Sequence, residues 1–594
     1  MCGIVGYIGK KDKTLDVLIS GLEHLEYRGY DSAGIAYIKN NDLVIKKEEG
    51  RISNLKKTID FNDEGEIGIG HTRWATHGIV NMTNSHPHNS GKITIVHNGI
   101  IENYIDLKKE LVEKGYTFQS DTDTEVAAVL LDYLYKENGN MLDALKVFKE
   151  KVVGAYALGI VNKDEKDNLY TIKKNSPLII GVGENENYIA SDVPAIISET
   201  KKYITLEDGE FAKISRNDIE VYNTNNIKKE VTIKEFKGNT GAIDKNGYET
   251  FMKKEIYEQP DAIKRTMDDN IPDLRGYNKI IILACGSAYH AGLIGKTLIE
   301  EYGDIPVEVE IASEFRYKKT FIDIKTLVIA ISQSGETADT LEALKLAKKK
   351  GADTIGIINV EESSIAREVD DVIYTKAGPE IAVATTKGYT TQVEIISKIA
   401  YILATNNNCK NYKNIIRNFM SDLKELPIVM EEVLEREDEY KEIAKDIYKE
   451  NDIFFIGRGI DYALAMEGSL KLKEISYIHS EAYPAGELKH GTISLVEEGT
   501  PVIGIVTDEL ISDKTISNMK EVKARGANVI YLTTNVLSKD GDFYNKRIVV
   551  PKVNPLLQPL INILPLQMIS YHVAKLNKRD IDKPRNLAKS VTVE

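Results

Sequence analysis

Over the first 238 residues, apolar and polar positions alternate in short runs: Ile35 to Ile38, Leu43 to Lys47, Ile67 to Gly70, Ile93 to His97 and Tyr156 to Val161. A period of two marks half-buried strands, and the apolar stretch Ile4 to Ile8 predicts another at the chain's start. Two amphipathic helices interrupt them, over Leu15 to Glu26 and Thr124 to Tyr135, the second with Asp123 as N-cap and Glu125 in its first turn. Strands paired as meanders with helices between them predict an α+β sandwich rather than a parallel sheet.

Residues 239–250 are polar and glycine-bearing, a linker pattern. Beyond them the period changes to buried strand, glycine turn, helix. Lys279 to Ala284 runs into Cys285-Gly286-Ser287, Leu327 to Ile331 into Ser332-Gln333-Ser334-Gly335-Glu336-Thr337, and Thr354 to Ile358 follows a Lys-rich helix. Such alternation predicts parallel βαβ units in a doubly wound sheet. The pattern returns at Ile453 to Ile456, Pro501 to Val506 and Asn528 to Leu532. Gly286 and Gly457 are 171 positions apart, and Ser332 and Thr507 are 175 apart, which argues for a duplicated domain. The expected organisation is a domain over 2–238, a linker over 239–250, α/β domains over 251–425 and 430–584, and a tail over 585–594.

A chain of 594 residues is too long for one core. The net charge of −14 is spread without a basic stripe, so no nucleic-acid partner is expected. No apolar run approaches the roughly 20 residues of a membrane span, and no signal peptide precedes Cys2, so the expectation is a cytoplasmic chain that does not engage a membrane. Cys2, Cys285 and Cys409 are too far apart for a disulfide framework or a zinc spacing. His71, His77, His86 and His88 are close in sequence, but Pro87 holds His86 and His88 extended and no third ligand follows at a fixed offset; no metal is expected. No dinucleotide or triphosphate fingerprint is present, so no cofactor is expected.

The chemistry begins at Cys2. Removal of Met1 would leave a thiol and a free α-amine on one carbon, a nucleophile with its base attached. A thiolate attacking a carboxamide needs an oxyanion hole, which the Asn98 side chain and Gly99 N–H can supply. Arg73 suits a substrate carboxylate and Asp123 an ammonium. In the second part, the hydroxyls and N–H groups of Ser332 to Thr337 make an anion cradle fit for a small phosphorylated metabolite. Glu467, Lys471 and Glu474, at i, i+4 and i+7, share one helix face, and the apolar tail around Lys589 is expected to dock.

In the first part, Cys2-Gly3-Ile4-Val5-Gly6, Glu26 to Gly34, His71 to His77, His97-Asn98-Gly99 and Asp121 to Asp123 resemble the N-terminal-nucleophile glutaminase domain. The later motifs, including Glu481 to Gly491 and Pro584 to Glu594, resemble the paired sugar-isomerase (SIS) domains of the glucosamine-6-phosphate synthase family, and together the resemblance covers essentially the whole chain. It implies an αββα sandwich followed by two SIS domains, with L-glutamine and D-fructose 6-phosphate as substrates and a homodimeric assembly. It also implies Cys2 as nucleophile, Asn98 and Gly99 as oxyanion hole, Arg73, Thr76, His77 and Asp123 as glutamine ligands, and Trp74 as gate of the ammonia path. For the sugar it implies Ser287, Ser332, Gln333, Ser334, Thr337, Val383 and Thr385 as ligands. Lys589 is the implied Schiff base, Glu474 the proton shuttle beside Lys471, and His490 the aid to ring opening, with a role for a neighbouring subunit open to it. The family's Cys-Gly-Thr-Ser reads Cys285-Gly286-Ser287-Ala288 here, which removes one hydroxyl; its Ala-Ser-Thr-Lys reads Ala384-Thr385-Thr386-Lys387, which keeps one. Two alternatives stand beside this reading: another glutamine-dependent amidotransferase, and a phosphosugar-binding regulator with a glutaminase remnant.

Overall fold

The alternating segments of the first part become two antiparallel sheets, of eight and seven strands among the described residues. In the computed structural model those residues are 2–236, 244–268, 270–407 and 412–592. The chain divides into two compact units, Met1–Gly241 with Ala588–Glu594, and Ala242–Leu587.

In the first unit, strand Gly3–Ile8 lies between Asn187–Ala190 and Ile67–Arg73. Its side chains alternate as a strand's must. Ile4 and Ile8 enter a core with Val96, Ala157 and Leu169 of the other sheet, while Val5 and Tyr7 meet Leu18 and Leu22 of helix Thr14–Leu25. Helices Asp123–Asn138 and Met141–Lys151 cover the second sheet's outer face. The result is the expected αββα sandwich.

One local expectation changes. The cap of helix Asp123–Asn138 is Thr122, whose hydroxyl accepts the Glu125 N–H at 3.2 Å. Asp123 is thereby the first helical residue, and its carboxylate turns back to accept the Ile101 N–H at 2.8 Å. The His86–Pro87 bond is cis, a geometry that the expectation of an extended His-Pro-His segment did not include.

The second unit holds two parallel five-stranded sheets of the same order. Lys279–Ala284 lies between Val307–Ile311 and Thr326–Ser332, and Asp452–Gly457 between His479–Pro484 and Pro501–Val506; each sheet continues with two further strands beyond the third. The duplication is therefore real, but its register moves. The first strands begin 173 positions apart, at Lys279 and Asp452. Gly286 (φ +57°) matches Gly459 (φ +55°), because the turn needs its glycine where φ is positive; Gly457 still belongs to the strand. Across the next ladder Ile282 pairs with Ile329 and Phe455 with Ile503, so Gln333 corresponds to Thr507.

The expected boundary at 425–430 falls inside one helix, Lys413–Leu434, which carries Pro427 in its interior. The copies share a continuous core in which Ile282 and Ile329 of one join Phe455 and Ile503 of the other, so no linker divides them. Residues 239–243 of the expected linker lie outside the described residues, as do 237 and 238 at the end of the first domain, Cys409, and Met1; the helix Phe251–Tyr257 then begins behind its cap Thr250. Part of the ionisable segment over Glu481 to Gly491 is an edge strand, His479–Pro484, rather than a loop.

Candidate functional site

The first site forms where the two sheets of the sandwich present neighbouring strand ends. Cys2 precedes Gly3–Ile8 beside the end of Ile67–Arg73, and the Trp74 N–H donates to Cys2 Sγ at 3.3 Å. Burial pushes the Cys2 thiol above its ordinary range, opposed by nearby positive charge and the Trp74 N–H. Asn98 Nδ2 donates to the Cys2 carbonyl at 3.0 Å. Gly99 has φ +125°, and a Cβ there would stand 2.0 Å from the Ala155 carbonyl oxygen, so only glycine can present its N–H at this place.

Behind Asn98 lies a residue that the sequence left without a role. His71 Nε2 faces two acceptors, His97 O at 2.9 Å and Asn98 Oδ1 at 3.1 Å, so that nitrogen carries the proton. Burial lowers His71 to about 3, which keeps the ring neutral. With its Oδ1 held, the Asn98 amide must aim its N–H₂ at Cys2. His71→Phe is expected to lower kcat for glutamine hydrolysis by about 100-fold, the scale of a lost oxyanion donor, with KM little changed. Steady-state kinetics check it; an unchanged kcat would remove His71 from the site.

Arg73 braces the turn ahead of it. Its guanidinium donates to the His77 carbonyl, to Gly78 O at 3.2 Å and to Ile79 O at 3.5 Å, which leaves Nε–H and one Nη1 hydrogen for a ligand. Asp31, within the Glu26 to Gly34 motif, accepts the Ala75 N–H at 2.8 Å and so holds the same turn from its other side. Cys2, Arg73, Trp74, Thr76, His77, Gly99 and Asp123 line one pocket. Every residue expected at the glutamine site thus lies in its wall, except Asn98, which reaches it through Cys2.

The imidazoles near this pocket are packed, not ligating. His71 stacks on His86 at 4.1 Å between centroids, and His86 meets His88 edge-on. Among the described residues no group of three His, Cys, Asp or Glu has metal-binding geometry. Burial lowers His71, His86, His88 and His97 below their ordinary range, the last despite Asp123 nearby. A ring that binds its proton only when unfolded stabilises the fold above about pH 6.5 and ceases to as pH falls. Between pH 7.5 and 5.5 the urea midpoint of the first unit is expected to drop, by up to about 1.4 kcal/mol per ring for each unit below 6.5. Fluorescence of Trp74, the chain's single tryptophan, reports this unit alone; a flat profile would contradict the assignment.

The second site involves both SIS copies. After strand Thr326–Ser332, Ser332 Oγ accepts the Gly335 N–H at 3.0 Å and pairs with Thr337 Oγ1 at 3.0 Å, while Ser334 Oγ accepts the Glu336 N–H. Gly335 has φ +66°, and a Cβ there would stand 1.9 Å from Ser363 Oγ. Gln333 approaches Gly388, whose neighbour Thr385 donates to Glu380 at 2.6 Å. Val383 N–H donates to Asp582 O at 3.0 Å, which ties the loop that carries Val383 and Thr385 to the segment before the tail.

Glu467, Lys471 and Glu474, on helix Ile460–Ser476, are not a surface ladder. Glu467 and Lys471 are 0% and 1% exposed. Lys471 Nζ stands 3.5 Å from Glu467 Oε1 and 2.6 Å from Glu474 Oε2. Burial acts against its charge, but Glu474 and Glu467 outweigh that and hold Lys471 above its ordinary range. The first copy anchors Glu467: Ser287 donates at 2.8 Å to the same Oε1 that Lys471 faces, and His290 Nδ1 lies 2.8 Å from Oε2. The Ser287 proton expected on a sugar phosphate is therefore committed to Glu467, which leaves the cradle to Ser332, Gln333, Ser334 and Thr337. His490 is exposed on the turn Glu487–His490, with no bond to this chain of charges. Lys589 lies in Ala588–Glu594, which groups with the first unit; Ser590 and Thr592 are buried, as a docked tail requires.

Comparison with known proteins agrees with this architecture. A glutamine amidotransferase domain model matches residues 57–257, and an SIS domain model matches 273–401 and again 446–576. The C-terminal domain of a glucosamine-fructose-6-phosphate aminotransferase from Francisella tularensis superposes with a TM-score of 0.55 at 38% identity, covering 57% of this chain and 100% of that one. Glutamine–fructose-6-phosphate aminotransferases (isomerizing) of Caldanaerobacter subterraneus subsp. tengcongensis and Pyrococcus horikoshii are 50% and 46% identical, each over 100% of both chains. With an αββα unit followed in sequence by two SIS copies and relatives matched end to end, this chain belongs to the glutamine–fructose-6-phosphate aminotransferase (isomerizing) family.

Proposed function

We propose that the protein transfers the amide nitrogen of L-glutamine to D-fructose 6-phosphate with ketose–aldose isomerisation, yielding D-glucosamine 6-phosphate and L-glutamate. The observation that carries this is the presence in one chain of the Cys2–Asn98–Gly99 pocket, of the Glu467–Lys471–Glu474 chain, buried at Glu467 and Lys471, and of a hydroxyl-lined cradle.

At the first site the α-amine of processed Cys2 takes the thiol proton as sulfur attacks the glutamine amide carbon. Asn98 Nδ2–H and Gly99 N–H hold the oxyanion. The amine then protonates the leaving nitrogen, ammonia departs, and water cleaves the thioester to glutamate. Arg73, Thr76 and His77 hold the substrate's carboxylate end and Asp123 its ammonium, with Trp74 gating ammonia.

At the second site Ser332, Gln333, Ser334 and Thr337 hold the phosphate, with Val383 and Thr385 on the sugar. His490, exposed on its own chain, assists ring opening, a role suited to the neighbouring subunit of a homodimer. Lys589 condenses with the C2 ketone and releases water; ammonia displaces the lysine to leave the C2 imine. Glu474 removes a proton from C1 and returns one to C2, with Lys471 Nζ 2.6 Å from its Oε2. The water released at the imine balances the water spent on the thioester. We place the enzyme in the cytoplasm.

Amide-¹⁵N glutamine and fructose 6-phosphate together should give singly labelled glucosamine 6-phosphate by mass spectrometry, and neither substrate alone should. Lys589→Ala is expected to lose the amino sugar yet retain some glutamine hydrolysis; undiminished synthesis in that variant would refute the Schiff-base role. Glutamine hydrolysis without any amino sugar from the intact protein would instead favour the regulator reading.

A further inference from the structure

At the end of strand Pro501–Val506, one carboxylate gathers three donors. Asp461 Oδ2 accepts the N–H of Thr507 at 2.7 Å and of Asp508 at 3.3 Å, and Oδ1 accepts the Thr507 hydroxyl. Asn562 Nδ2 donates in turn to Thr507 Oγ1 at 2.8 Å. Asp461 is 1% exposed, and its neighbours are the Thr507 and Asp508 groups rather than a lysine or arginine. Backbone N–H groups and a hydroxyl at a strand end are the donor set that proteins offer to phosphate.

The place matters as much as the donors. The strand order His479–Pro484, Asp452–Gly457, Pro501–Val506 reverses direction at the middle strand. The crevice between the ends of the latter two strands is thus the switch point at which doubly wound sheets bind ligands. Asp461, in the first turn of helix Ile460–Ser476, spans that crevice. In the first copy, Gly286 matches Gly459, so Asp461 corresponds to Ala288, and Thr507 and Asp508 correspond to Gln333 and Ser334. One copy has a methyl group where the other has a carboxylate.

We propose that Asp461 is a built-in ligand of the second copy, its carboxylate taking the position a phosphate would take and closing that crevice to sugar phosphates. The duplication thereby leaves one sugar site per chain. This rests on the reading that the first copy's crevice takes the phosphate of fructose 6-phosphate. Ala288, like the serine the family carries there, is small enough to leave the first crevice open.

Calorimetric titration of the full chain tests it with two probes, fructose 6-phosphate and inorganic phosphate. The wild-type chain should bind one fructose 6-phosphate, with inorganic phosphate competing at that site alone. Asp461→Ser should gain a second site for inorganic phosphate, beyond the one at which fructose 6-phosphate binds in the wild type. The reciprocal variant Ala288→Asp should plug the first crevice and weaken fructose 6-phosphate by about 100-fold, the worth of two charge-assisted hydrogen bonds. No fructose 6-phosphate binding to the wild type would overturn the underlying reading of the first copy. One site in the wild type, with none gained in a folded Asp461→Ser chain, would overturn the plug. If near-UV circular dichroism shows Asp461→Ser unfolded, Ala288→Asp decides: wild-type affinity there overturns the proposal and the loss supports it.

Discussion

Cys2→Ser is expected to lower glutamine hydrolysis by about 10⁴-fold or more while fructose 6-phosphate binding stays unchanged. The side chains differ by one atom, so the pocket keeps its shape. What changes is the ease of forming the nucleophile. A thiol titrates near about 8.5, within reach of an α-amine near about 8, whereas a hydroxyl lies far above both. The oxyanion donors then have no developing charge to stabilise, and losing one member of such a unit costs nearly as much as losing all of it. The same reasoning covers a chain that keeps Met1, because its α-amine is no longer on the carbon that bears the thiol. Single-turnover assays, paired with intact-mass measurement of the N-terminus, check both. Full activity with Met1 quantitatively retained would sink the mechanism.

Lys471→Met is expected to remove amino-sugar synthesis and to destabilise the second unit by about 3–5 kcal/mol, the cost of leaving a buried charge without its partner. Lys471 is the single cation between Glu467, fully buried, and Glu474, partly so. Methionine keeps most of the volume, so a packing defect is a minor part of the effect. Glu467 would retain the Ser287 and His290 bonds but face its former partner as an uncompensated carboxylate. Denaturant unfolding followed by circular dichroism measures the stability. Glutamine hydrolysis, carried out in the other unit, provides the control for a correctly made chain. A variant as stable as wild type would mean that Glu467 does not depend on Lys471 to stay buried.

Much of this arrangement was legible in the chain itself. Period-two alternation around Ile4, Ile35, Ile67 and Ile95 follows from one face of each strand being buried, and it put Cys2 just ahead of the first strand and His71 and Asn98 just past the ends of two others before any packing was known. The duplicated α/β half was likewise readable, because parallel strands buried on both faces produce apolar runs that stop at glycine turns. Offsets were less secure. Gly457-Arg458-Gly459 contains two glycines, and only the backbone shows which of them bears the positive φ.

The roles of helix-face charges were not legible. Spacing put Glu467, Lys471 and Glu474 on one side of a helix, but the same spacing serves a solvated ladder. Whether that face meets water or Ser287 and His290 is decided by residues some 180 positions earlier. Local signals also compete at a cap: Thr122 and Asp123 both suit the position, and the Ile101 N–H settles the matter by occupying the Asp123 carboxylate.

By itself, then, the sequence determined the two architectures and the order of the domains, and it named the candidate groups of the first pocket, since these depend on residue type and short-range period. Tertiary structure alone decided which groups support them: His71 behind Asn98, Asp31 behind the Arg73 turn, the first copy behind Glu467, and Asp461 in a crevice left open in its twin. Those pairings join residues distant along the chain, and a hydrogen bond across such a distance leaves no period in the sequence.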